Sequence, residues 1–124
     1  MHKYQSLTAW KRAHEAAVLV LRSTDQAYHP RSRSAFDQLR RATISIEANV
    51  VEGYALATPA LFRRHIRIAL GSAAEAECLT RMIQEMEYLP ADTGRRLLDL
   101  FSEIIACLVG LFRKGLPFEK GSSR

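Results

Sequence analysis

The chain is 124 residues long and 48% apolar, with a formal charge of +5 and a pI near 9.6. That length suits one domain over residues 1–124, and no apolar run approaches the ~20 residues that cross a bilayer. The opening MHKYQSLTAW lacks the basic-then-apolar layout of a secretory signal, so a cytoplasmic protein without membrane attachment is expected.

Helix one starts near Ser6 or Thr8, either of which suits a cap, and spans about 7–28. Leu7, Trp10, His14, Ala17, Leu21, Thr24 and Tyr28 repeat at alternating steps of three and four and form its expected seam. Ala13, Ala16 and Val20 make a smaller stripe beside it, and Trp10 reads as a core anchor. His29-Pro30 ends the helix, because a residue before proline disfavours helical geometry.

Helix two, about 34–57, has Ser34 as its expected cap with Asp37 three positions on. Leu39, Ala42, Ile46, Asn49, Val50 and Gly53 share one face, and the polar row Gln38, Arg41, Ser45 and Glu52 runs beside it. Glycine inside a helix costs about 1 kcal/mol against alanine, so Gly53 marks a close helix approach or a bend.

Thr58-Pro59, a cap followed by proline at the first helical position, starts helix three, about 59–88. Its seam is Phe62, Ile66, Ala69, Ala73, Ala76, Thr80 and Ile83, while Leu61, Ile68, Glu75 and Met82 point elsewhere. Gly71, Ala73, Ala74 and Ala76 make its middle slender, which permits close packing.

Asp92 or Thr93 caps helix four, about 92–114. Leu97, Phe101, Ile104, Leu108 and Leu111 form one seam, with Leu98, Ile105 and Phe112 beside it. So wide an apolar surface implies a central position or an oligomer interface. Gly115-Leu-Pro117 stops the helix, and residues 115–124 should fray. Four helices joined by short loops predict an all-α fold, an antiparallel up-down-up-down four-helix bundle.

The segments QLRRA (Gln38–Ala42), Ser45-Ile46, Asn49-Val50 with Glu52-Gly53, and ALGSAAE (Ala69–Glu75) carry a resemblance. With Leu7-Thr8-Ala9-Trp10-Lys11, they resemble the bacterial four-helix-bundle family first described from proteins encoded in 23S ribosomal RNA intervening sequences. The likeness covers Tyr4 to Phe112. It implies a homo-oligomer, with a ring-shaped pentamer favoured. A relative, the accessory protein of diversity-generating retroelements, suggests RNA or DNA and a reverse transcriptase as partners. The resemblance attaches no catalytic role to any of these residues.

Few residues offer chemistry. His2, His14, His29 and His65 have no mutual metal spacing, and no Glu-x-x-His or Cys-x-x-Cys occurs, so no metal or other cofactor is expected. Cys78 and Cys107 read as small buried apolar residues in a reducing compartment. Ser45 and Ser72 have no base beside them in sequence, and an enzyme is not expected. Arg41, Ser45, Asn49, Glu52, Ser72 and Glu75 form an expected polar network between helices two and three, in which Arg41 could reach Glu75. A packed network of this kind fixes register, whereas a ligand site would need a closed pocket around the same groups.

The positive charge is mainly arginine, whose planar fork grips phosphate bidentately; the same bias also arises in a genome rich in G and C. Arg31, Arg33, Arg40, Arg63, Arg64 and Arg67 are the candidate nucleic-acid-binding residues. Ordinary solvated charge is the competing reading for each. If helix two's start and helix three's end share a pole, the first three cluster there and the helix-three arginines lie at the opposite pole. No aromatic interleaves with them in sequence, so binding should follow phosphate charge rather than base identity. The leading expectation is a non-catalytic oligomeric scaffold for nucleic acid; the alternative is a protein-interaction module without nucleic-acid binding.

Overall fold

Thr58-Pro59 starts one helix and Gly115 ends another in the structure, a computed structural model that describes residues 4–56 and 58–116. The helices are α1 (Thr8–Gln26), α2 (Arg33–Leu56), α3 (Pro59–Glu85) and α4 (Ala91–Lys114). One-turn 3-10 helices, Tyr4–Ser6 and Pro30–Ser32, precede α1 and α2, and the described residues contain no strand. Ala57, the expected end of helix two, and Pro117 onward lie outside the described residues.

Pairs that cross between helices give their directions. Gln38 bonds Glu75, Ser45 bonds Ser72 and Asn49 bonds His65, so the partner's number falls along α3 as it rises along α2. His14–Glu47 and Thr24–Arg40 run oppositely in the same way for α1 and α2, as do Arg12–Glu103 and Glu15–Arg96 for α1 and α4. Each helix packs on its neighbours in sequence and α4 returns to α1, closing an all-α four-helix bundle. No described helix is long and apolar enough to cross a membrane.

The core follows the expected faces of α2, α3 and α4. Leu39, Ile46, Phe62, Ile66, Leu97 and Phe101 are fully buried, each contributing about 1.5–3 kcal/mol. In α1 the smaller stripe is the better buried, and of the expected seam Ala17 and Thr24 are buried with it. Ala9, Ala13, Ala16 and Val20 are buried, whereas Leu21 and Tyr28 are exposed and Trp10 is half-buried. Small side chains let α1 approach its neighbours closely, so the narrow stripe takes the centre and the bulkier one its margin. Trp10 instead stacks on His14 at 4.8 Å, with Tyr4 edge-on at 5.5 Å.

Other expectations change at the helix ends. Thr58 Oγ1 does accept from the Leu61 N–H, at 3.4 Å. Ser34, however, lies inside α2, whose entry is ordered by His29: its ring accepts from the Arg31 N–H while the Ser32 hydroxyl donates to its carbonyl. α1 and α4 begin without a side-chain cap, after Leu7 and Pro90. α3 stops three residues short of Tyr88 because Glu87 turns left-handed, with φ of 57°, and the Tyr88 N–H returns to the Ile83 carbonyl at 3.1 Å. Gly115, with φ of 81°, ends α4, and Leu116 packs into the core instead of fraying. Gly71 and Ala74 face outward, and an added Cβ at Gly71 would meet open space, so the close packing in the middle of α3 belongs to Ala69, Ala73 and Ala76. Cys78, on that outer face, is exposed rather than buried; Cys107 is half-buried, and both are free.

Candidate nucleic-acid interface

The antiparallel order places the starts of α1 and α3 with the ends of α2 and α4 at one end of the bundle. Gly53 sets the α2–α3 spacing there: a Cβ on it would lie 3.0 Å from His65 Cβ and 3.4 Å from the Phe62 carbonyl oxygen. That close crossing explains a glycine in mid-helix. Just beyond it lies a chain of side-chain hydrogen bonds. Asn49 Nδ2 donates to the Ser45 carbonyl at 2.9 Å and its hydroxyl at 3.2 Å, and the Ser45 hydroxyl meets that of Ser72 at 2.9 Å. Asn49 Oδ1 is thereby left to accept, so His65 Nδ1, 2.9 Å away, carries the hydrogen that donates to it.

Three of the six expected network residues, Ser45, Asn49 and Ser72, thus form one half-buried chain, and His65 completes it. Glu75 pairs with Gln38 at 2.8 Å instead of Arg41. Arg41 lies about 60° further round α2 from Gln38 and, like Glu52, is exposed with no partner among the described residues. Direct bonding leaves no room for a ligand between these groups, and no hydrogen bond joins His65 to either serine among the described residues.

The arginines divide by end. Arg31, Arg33 and Arg40 do gather at the far end, where Arg40 donates through Nε to Thr24 Oγ1 at 2.8 Å and pairs with Asp25, and Arg33 lies 3.8 Å from Asp37. Arg31, like Arg22, Arg41 and Arg95 at that end, is exposed without a carboxylate partner among the described residues. Arg81–Glu77 and Arg96–Glu15 pairs add to that compensation; the Glu15 hydrogen bond raises the Arg96 pKa above its usual value. At the near end Lys11, Arg64, Arg67, Arg113 and Lys114 are exposed and without a carboxylate partner among the described residues. Among the described residues Glu52 is an unpaired acid at that end.

Arg63 Nε donates to the Phe112 carbonyl at 3.0 Å, satisfying the last turn of α4 with a cation where the helix dipole favours one. Arg63, Arg64, Arg67, Phe112, Ala60 and Ile68 surround an open depression of about 400 Å³. Phe112 is the neighbour sequence reading missed: the aromatic beside these arginines in the chain, Phe62, is fully buried, and α4 brings a second ring to them. Among the described residues no group of three or more His, Cys, Asp or Glu could hold a metal ion.

Fold and charge together define a four-helix bundle whose described cations outnumber its acids at one end. Residues 5–110 match the family described as 23S rRNA-intervening sequence protein, and the chain belongs to that family. In fold it is similar to a solved protein of unknown function from the S23 ribosomal protein family of Bacteroides thetaiotaomicron. The TM-score is 0.77 at 22% identity, over 85% of this chain and 95% of that one. No curated protein matches.

Proposed function

We propose that this protein is a non-catalytic scaffold that binds RNA or DNA through the phosphate backbone, using its basic end. The observation that carries this reading is the uncompensated charge there. Arg64 and Arg67 sit in the first turns of α3 beside exposed Arg113 and Lys114, where the positive end of the α3 dipole adds to their repulsion. Anionic phosphate relieves that repulsion, and its oxygens suit the guanidinium fork. Titrating labelled RNA and DNA between about 50 and 200 mM salt tests it: log K should fall linearly with log salt, by about 0.9 per phosphate neutralised on duplex DNA. Absence of binding at the low-salt end would overturn it.

Exposed apolar side chains support assembly of several copies. Ile44, Leu56, Leu61, Ile68 and Met82 are exposed on α2 and α3, and Met86 just after α3. Leu98, Ile105 and Phe112 of α4, the other expected interface row, are half-buried within the bundle. The α2–α3 face is therefore our candidate for contact between copies, with a pentamer as the favoured form. Light scattering giving a monomer mass would refute it.

A further inference from the structure

We propose that the depression between α3 and α4 is a single-nucleotide subsite, in which Arg64 and Arg67 hold a phosphate and the Phe112 ring receives the attached base. This deepens the phosphate-binding reading above and rests on it. A duplex read by charge alone needs only a basic surface, and the far side of this one is aromatic. The depression, about 400 Å³, falls in the range of small-ligand sites. Its walls match the two ends of a nucleotide: guanidinium groups on α3 for the phosphate, and an aromatic ring from α4 for a base. No carboxylate lines it.

The two walls are also fixed relative to each other. The 3.0 Å hydrogen bond from Arg63 Nε to the Phe112 carbonyl ties the arginine turn to the backbone that carries the ring. The spacing therefore exists before a ligand arrives, which lowers the ordering cost of binding. A base reaches the ring only if it is free of its own stack, so the site selects single strands or strand ends over continuous duplex. Arg64 and Arg67 serve both kinds of nucleic acid, whereas Phe112 serves only the unpaired one.

The test compares three labelled ligands of equal length at one salt concentration: a single-stranded RNA, the matching duplex, and a strand of abasic sugar-phosphate. The expected result is about tenfold tighter binding of the single strand than of the abasic strand or duplex, the effect of one stacked base. Uridine 5′-monophosphate should displace the single strand at lower concentration than ribose 5-phosphate does. Phe112→Leu, with helicity and oligomeric mass checked against the parent, should remove most of the single-strand advantage and leave duplex binding unchanged. Equal affinity for all three ligands, still falling with salt, would overturn the subsite and leave backbone binding standing. Binding of none of them would overturn both. Preference for the single strand that survives in Phe112→Leu would place the base elsewhere and overturn the assignment.

Discussion

The two ends of this bundle are both rich in arginine, yet they differ in what each arginine does. At the far end Arg33, Arg40, Arg81 and Arg96 face Asp37, Asp25, Glu77 and Glu15, and the exposed Arg22, Arg31, Arg41 and Arg95 share that end with exposed Glu85, Glu87 and Asp92. At the near end Arg63 closes the α4 terminus while Arg64 and Arg67 have no acid partner among the described residues. Stability of the near end comes from the Gly53 crossing and the His65–Asn49–Ser45–Ser72 chain, which involve no carboxylate. A cluster of cations can remain exposed there because uncharged contacts hold its scaffold. Number of arginines is thus a poor guide to a binding surface; the excess of cations over acids at one end is a better one.

The largest effect should come from exchanging the ends. Arg64→Gln with Arg67→Gln is expected to weaken nucleic-acid binding roughly ten- to a hundredfold and to reduce the salt slope by about two. Arg31→Gln with Arg33→Gln should change affinity less than about threefold, by anisotropy under the same conditions. Equal losses from both pairs would mean that the whole surface binds and that the distinction between the ends is false. Next in size is Asn49→Ala, which deprives His65, Ser45 and the α2–α3 crossing of a shared partner in a half-buried setting. A loss of about 1–3 kcal/mol in urea unfolding is expected, with little dependence on salt.

Much of the bundle was legible because helix signals are local. Thr58-Pro59 announces α3, and Gly53 announces a tight crossing without naming what crosses. The α1 seam misled because periodicity ranks the bulky Leu21 and Tyr28 above the alanines, whereas a close crossing needs the alanines inside. The site was less legible because its pairings are long-range. Asp25 lies 15 residues from Arg40 and Phe112 lies 49 from Arg63, and only the turns between helices bring them together. His65 did share a stripe with Ser72, seven residues on, but nothing in the chain singles out Asn49 as its partner.

Arg40 offers a smaller test of the far end. Its side chain is part-buried while Asp25 is mostly exposed, so the ion pair itself contributes at most about 1 kcal/mol after solvent screening. Arg40→Ala also leaves the Thr24 hydroxyl without its donor, although that hydroxyl still donates to the Val20 carbonyl at 2.6 Å. The expected loss is roughly 1 kcal/mol, shrinking as salt rises toward about 1 M. A loss that ignores salt would assign Arg40 to packing and erase the electrostatic contrast between the ends.

The smallest expected change is a gain, at Glu87 beside the far end. A φ of 57° is costly for a side chain bearing a Cβ, by about 1–2 kcal/mol, and nothing in the exposed Glu87 side chain offsets it. Glu87→Gly removes that cost but adds freedom to the unfolded chain, worth about 0.5–1 kcal/mol against it. The net should be a stabilisation of about 0.5–1 kcal/mol, read as a higher urea midpoint at unchanged slope. Nucleic-acid affinity should stay the same, since the turn is a full helix length from Arg64 and Arg67. A lowered midpoint would show that the carboxylate itself supports the α3–α4 turn, and that the far end depends on acidic groups even more than its ion pairs imply.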